Sequence, residues 1–133
     1  MRIFLTGGTG FIGSYVLAAA LEAGHEVFAL RRSSASAPVI PLPDQPEWCE
    51  GELATLEASQ LRGIDVVLHL ASVGVSPKDA SWTQLEQVNV AGSLRLMELA
   101  LKVGVLRFVV AGSSHEYGNA ARRYEVIPPD APL

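Results

Sequence analysis

Two stretches of this 133-residue chain carry residue types whose spacing could do chemistry, and a third carries a lone acid. The first is Thr6-Gly7-Gly8-Thr9-Gly10-Phe11-Ile12-Gly13, which follows the apolar run Ile3-Phe4-Leu5 and opens a helix of small residues. Its last six residues read G-x-G-x-x-G between a strand and a helix, the setting in which such a loop holds phosphate. A helix start leaves backbone N–H groups unpaired and carries partial positive charge, so it attracts a pyrophosphate. The expected cradle comprises Gly7, Gly10, Phe11, Ile12 and Gly13, where glycine permits a tight turn and close approach of the phosphates. The second stretch is Arg31-Arg32, about twenty residues further on, where a dinucleotide fold places an acid to hold the ribose 2′-hydroxyl. Arginine there fits a 2′-phosphate instead, because its planar fork pairs with two phosphate oxygens. The expected cofactor is therefore NADP, with NAD as the alternative. The lone acid is Glu52, which could bond an adenine amino group or simply stabilise the dipole of a following helix.

These groups need elements to position them. Met1 to Leu5 reads as a buried strand, Phe11 to Ala23 as a helix stopped by Gly24, and Glu26 to Leu30 as a second strand. Strand–helix–strand over this length is a right-handed βαβ unit with parallel strands. Ser33 to Pro46 contains four prolines and reads as a surface loop. Trp48-Cys49-Glu50 is a short third strand, and Ala54 to Leu61 a short helix. Asp65 to Ala71 is a strand expected beside the first; His69 within it reads as a packed, hydrogen-bonded core residue. Val75 to Trp82 reads as a loop. Gln84 to Val103 is the longest helix, with Leu85, Val88, Gly92, Leu96, Leu99 and Val103 forming one buried stripe. Gly104 ends it, and Leu106 to Ala111 is a fifth strand followed by polar residues from Ser113 onward. The expected architecture is an α/β fold: a Rossmann-type doubly wound parallel sheet in order 3-2-1-4-5, with helices on both faces.

Composition narrows the function class. The length suits one domain, residues 1–133, and 49% hydrophobic residues with a mean hydropathy of +0.27 suffice for a core. A net charge of −4 argues against a general nucleic-acid binder. Cys49 is the single cysteine, which excludes an intrachain disulfide and a cysteine metal cluster, and no metal is expected. No apolar run approaches the ~18–20 residues of a membrane span, and the N-terminus lacks a signal-peptide core. A cytoplasmic protein without membrane contact is the expectation.

The whole pattern resembles the extended short-chain dehydrogenase/reductase family, and within it the NAD(P)-dependent sugar-nucleotide epimerases and dehydratases. Thr6 to Gly13 resembles the family's T-G-x-x-G-x-x-G cofactor loop. Glu52-Leu53 stands where the family has an Asp-Leu or Asp-Val pair against the adenine. His69-Leu70-Ala71-Ser72 resembles the H-L-A-A turn beneath the nicotinamide-side ribose, which adds Leu70, Ala71 and Ser72 to the cofactor site. Asn89-Val90 with Gly92-Ser93 resembles N-V-x-G-T, and Ser113 to Gly118 resembles S-S-x-x-Y-G, which puts Ser113 at the catalytic Ser/Thr position. The resemblance implies hydride transfer between a nucleotide sugar and the nicotinamide, with a tyrosine whose phenol is made acidic by a lysine four residues later. Ser114-His115 stands where a sugar 4,6-dehydratase has an acidic pair, which favours an epimerase or reductase.

No Tyr-x-x-x-Lys occurs here: four residues beyond Tyr15, Tyr117 and Tyr124 stand Ala19, Ala121 and Pro128. In the family that pair follows a segment resembling Val126 to Leu133. The chain therefore reads as a cofactor-binding part, truncated at its C-terminal side, without the substrate-binding part and inactive in turnover. A non-catalytic NADP-sensing or interaction module is the alternative reading. Exposed apolar faces on the fifth strand and long helix imply a homodimer, and the partner of the full-length protein would be a nucleotide-sugar-like small molecule.

Overall fold

The computed structural model describes residues 1–74 and 80–132. Five strands form one sheet: β1 (Arg2–Thr6), β2 (Glu26–Arg31), β3 (Glu47–Glu50), β4 (Val66–His69) and β5 (Arg107–Val110). All four pairings are parallel and the order is β3-β2-β1-β4-β5. This is the expected 3-2-1-4-5 arrangement. It reverses direction at β1, where the chain leaves to one side through β2 and returns to the other through β4. In such sheets the ligand crevice lies beyond the strands' carboxyl ends at that reversal.

Alternation along the strands divides the apolar residues between the two faces. Ile3, Leu5, Val27, Ala29 and Val66 meet Leu17 and Ala20 of helix α1 (Phe11–Glu22). Phe4, Phe28, Leu30 and Val67 meet Leu96 and Ala100 of helix α3 (Ser93–Lys102), together with Leu53, Leu56 and Leu61. Helix α1 packs closely because its buried positions are small, Gly13, Ser14, Ala18 and Ala20 beside Leu17. Gly24, at φ +73°, ends it.

Three local expectations differ from what is found. Ala54 to Leu61 is not one helix but two 3-10 turns, Leu53–Thr55 and Ala58–Leu61, each preceded by an extended residue. The side chains of Leu53, Leu56 and Leu61 all reach the same core, with Leu56 and Glu57 extended between the two turns. The long helix begins earlier, at Trp82, so the expected loop ends before that residue; Val75 to Asp79 lie outside the described residues. It also changes pitch, running as helix α2 (Trp82–Leu85), then a π-helical stretch over Glu86–Gly92, then α3. Asn89 sits inside the π stretch, a wide turn of a kind that often marks a functional place. After β5, residues Ser114–Arg123 form 3-10 turns broken at Gly118, whose φ is +50°.

Candidate functional site

Strand register brings the scattered sequence signals to one edge. Thr6 pairs with Leu30 and with His69, Arg31 with Glu50, and His69 with Val110. The residues that follow are therefore neighbours along one rim: the glycine loop, Arg32, Glu52, the Leu70–Gly74 turn and Ser113. Separations of more than a hundred positions in sequence, as from Gly7 to Ser113, collapse because every strand points the same way.

The glycine loop is built by close packing. Gly7 has φ +79°, and a Cβ there would lie 2.7 Å from Ala71 N and from the Leu70 carbonyl carbon. Two of the expected cofactor segments, Gly7 and Leu70-Ala71, are thus in contact backbone to backbone. A Cβ on Gly13 would collide with the carbonyl of Gly7, 2.6 Å from its carbon and closer still to its oxygen. The loop is closed by Gly10 N–H donating to Gly7 O at 2.9 Å. Gly10 caps α1 with no side-chain bond and no acid stands in the first turn, so the helix start keeps its positive end open. Phe11 and Ile12 are exposed there, with Phe11 edge-on to Tyr15.

Ser14 ties a second segment to this loop. Its hydroxyl is fully buried, bonds Gly10 O at 2.7 Å and Gly8 O at 3.1 Å, and accepts from Val39 N–H at 3.0 Å. The proline-rich loop is thereby strapped over α1. Together with the end of β2 it encloses an open cavity of about 490 Å³ lined by Arg31, Pro38, Val39, Ile40, Leu42 and Trp48. Arg31 donates to Glu50 Oε1 at 3.0 Å and lies 4.7 Å from the centre of the Trp48 ring. Its Nε is buried without a partner among the described residues, while Arg32 is exposed. Half of the expected arginine pair is therefore already engaged within the protein.

The other expected residues divide by burial. Leu53 is buried, and Gly92 approaches it so closely that a Cβ on Gly92 would sit 3.1 Å from two Leu53 atoms. Glu52 is exposed and starts the first 3-10 turn, its N–H donating to Thr55 Oγ1 at 3.2 Å. Ser72 is exposed. Ser113 is exposed too, and its hydroxyl accepts from His115 N–H at 3.2 Å, capping the segment that follows.

What the sequence does not reveal is a buried polar chain beneath the loop. His69 is 3% exposed. Its Nδ1 is 2.6 Å from Thr6 Oγ1 and its Nε2 2.7 Å from Ser93 Oγ. Burial alone pushes its pKa below the ordinary 6.5, so the neutral ring is favoured. Asn89 adds a clamp, accepting from Val73 N–H and donating to Val73 O, both at 2.9 Å. The available signal was the strand register, which sets Thr6 opposite His69 but is invisible until the pairing is known. Among the described residues no group of His, Cys, Asp and Glu is placed to hold a metal ion, and no helix is long and apolar enough to cross a membrane.

A parallel sheet of this order, with an uncapped glycine-rich helix start at its carboxyl edge, defines a Rossmann-type fold. The model of the NAD dependent epimerase/dehydratase family matches residues 3–132, and the chain belongs to that family. It is 31% identical over 120 residues to a 3 beta-hydroxysteroid dehydrogenase/Delta 5→4-isomerase of Mycobacterium tuberculosis, across 85% of this chain and 32% of that protein. It is 30% identical over 132 residues to a UDP-glucose 4-epimerase of Neisseria meningitidis, across 91% of this chain and 39% of that protein. Among solved structures it resembles MoeE5 in complex with UDP-glucose and NAD, with 36% identity and a TM-score of 0.73 over 89% of this chain and 38% of the other. The chain thus spans about a third to two-fifths of the length of these curated relatives.

Proposed function

We propose that this chain is the cofactor-binding part of an NAD(P)-dependent epimerase or reductase acting on a nucleotide sugar. The observation that carries the reading is the cradle at the head of α1. At Gly7 and Gly13 a Cβ would collide with neighbouring backbone, so only glycine lets the loop close this tightly, and the helix start beside them has no side-chain cap. A dinucleotide pyrophosphate fits that cradle, bonded by backbone N–H groups of the first turn. Gly7, Gly10, Phe11, Ile12 and Gly13 would hold it, with Leu70, Ala71 and Ser72 under the nicotinamide-side ribose and Glu52 and Leu53 toward the adenine. When bound, the nicotinamide would accept a hydride from the substrate carbon and return it. Ser113, on the rim beyond β5, would orient the substrate hydroxyl.

For the adenosine end the reading is NADP. Arg31 lines the cavity beside β2 with an Nε unpartnered among the described residues, and Arg32 is exposed. Two observations favour NAD instead: Glu50 already pairs with Arg31, which lowers the charge offered to a 2′-phosphate, and the MoeE5 structure carries NAD. Calorimetric titration separates the two. Joint replacement Arg31→Ala and Arg32→Ala is expected to weaken NADP about tenfold more than NAD, the loss of one charge-assisted contact. Equal loss for both would refute the NADP reading, and no binding of either by the wild type would refute the cofactor site itself.

The steroid dehydrogenase among the relatives leaves the nucleotide-sugar assignment resting on the epimerase and MoeE5 likenesses. No Tyr-x-x-x-Lys pair lies within the 133 residues, so the chain is proposed to hold cofactor without turning over. Hydride transfer by the purified chain with a nucleotide sugar, seen as nicotinamide absorbance, would overturn that. The exposed Leu94, Leu101, Leu106, Val109 and Val110 support self-association, which a light-scattering mass of one chain at high concentration would contradict.

A further inference from the structure

The buried chain through His69 has a direction that its hydrogen-bond partners dictate. Ser93 Oγ donates its single proton to the carbonyl of Asn89 at 2.8 Å. Toward His69 it can therefore only accept, so Nε2 of the ring carries the proton. Nδ1 is then bare and must accept, which requires Thr6 Oγ1 to donate to it at 2.6 Å. With its proton committed, Thr6 Oγ1 accepts from Ala71 N–H at 3.3 Å. The sequence of donors runs without conflict from Ala71 N–H through Thr6, His69 and Ser93 to the Asn89 carbonyl. Reversing either hydroxyl would leave a donor facing a donor, which is costly in a site where Thr6 and His69 are almost wholly excluded from water.

Both ends of this chain lie against the candidate site. Thr6 is the residue before Gly7, and Ala71 is one of the two residues whose backbone packs on Gly7. At the far end, Asn89 is the residue whose side chain holds Val73 by two bonds. One polar strut therefore fixes the glycine loop, the turn after β4 and the π-helical stretch relative to one another.

We propose that Thr6, His69 and Ser93 form a directed hydrogen-bond strut that makes His69 a positioning residue for the dinucleotide, locked as its Nε2–H tautomer. The inference rests on the dinucleotide reading above. His69 does not touch the ligand space; it acts through Thr6 on the Gly7–Ala71 contact. A loop free to leave this arrangement would spend part of its time in a form unable to bind, and the apparent affinity would fall by that fraction.

Three measurements test it. Nitrogen-15 shifts of the wild-type histidines, which need neither ligand nor variant, are expected to show His69 with a protonated Nε2 and a bare Nδ1. The opposite tautomer, or a mixture of the two, would overturn the strut. Thr6→Val and Ser93→Ala, each removing one link, are expected to raise the NADP or NAD dissociation constant about tenfold, whereas Thr6→Ser and Ser93→Thr restore it. Ala71 N–H is expected to lose its exchange protection in Thr6→Val and keep it in Thr6→Ser. Wild-type binding with all four variants equal to it would overturn the positioning role alone. Failure of the wild type to bind either dinucleotide would overturn the parent reading, and the positioning role with it.

Discussion

Replacing Gly13 by alanine tests the close packing on which the candidate cradle depends. The new methyl group would enter the space of the Gly7 carbonyl, 2.6 Å from its carbon and 3.1 Å from Gly8 Cα. All of these atoms are backbone, so no side chain can swing away; the Gly7 peptide must recede by roughly 1 Å. Overpacking of this kind costs about 1–3 kcal/mol, and a rigid backbone obstacle points to the upper end. Gly13 lies within α1, however, so alanine recovers about 1 kcal/mol of helix propensity. The net expectation is a loss of about 2 kcal/mol in stability and a far larger relative loss in dinucleotide affinity, because the peptide that must move closes the loop through Gly10 N–H. Gly8→Ala is the control. Its Cβ would have Leu5 Cδ2 at 3.2 Å and Leu17 Cδ2 at 3.5 Å as nearest neighbours, side-chain atoms that can give by a few tenths of an ångström where backbone cannot, so its cost should stay near the lower end, about 1 kcal/mol. Urea denaturation gives the stability and calorimetric titration the affinity. A Gly13→Ala protein as stable as Gly8→Ala, and binding as well, would refute the packing argument.

Two further outcomes follow from named contacts. His69 is held neutral in the fold, so in acid the unfolded chain takes up a proton there that the folded chain refuses. Its contribution to stability is fully present above 6.5 and is lost as pH falls below 6.5 toward its lowered folded value. Its polar partners, Thr6 and Ser93, are neutral, as is the Phe108 ring 6.2 Å away, and among the described residues burial is the cause of the shift. Unfolding free energies from urea denaturation between about pH 7.5 and about pH 5.5 should fall in the wild type with a slope of at most about 1.4 kcal/mol per pH unit from this group, and fall less in His69→Gln; equal slopes would refute it. Ser14→Ala removes the acceptor of Val39 N–H and the strap on the proline-rich loop. A loss of about 1–2 kcal/mol is expected, with faster protease cleavage between residues 33 and 46; unchanged cleavage would mean the strap does not hold the loop.

The strands, their parallel order and the glycine-rich turn were legible in the residues themselves. Continuous apolar runs at Ile3-Phe4-Leu5 and Val66-Val67-Leu68 mark strands buried on both faces, and glycines at positions 24 and 104 mark helix ends. These are local signals, set by side-chain size and backbone freedom within a few residues. Expectations failed where distant packing overrode local preference. Leu53, Leu56 and Leu61 reach one core through two 3-10 turns rather than a helix, and the long helix widens to a π pitch around Asn89.

The site shows the same division. Composition and spacing alone selected Gly7, Gly13 and Arg31, because a cradle for an anion needs small residues at a helix start and a cation beyond it. Tertiary structure decided that Arg31 is partly spent on Glu50 and Trp48, and that Ser14 holds the loop after β2. It also turned His69 from a buried residue into the middle of a directed chain. Thr6 and Ser93 each stand within a segment the sequence singles out, but nothing in the sequence joins either to His69. Their hydroxyls acquire a role only when parallel pairing sets Thr6 beside His69 and α3 lays Ser93 on the other side of the ring. A hydrogen bond between residues more than sixty positions apart depends on where the chain returns in space, and that is a property of the whole fold.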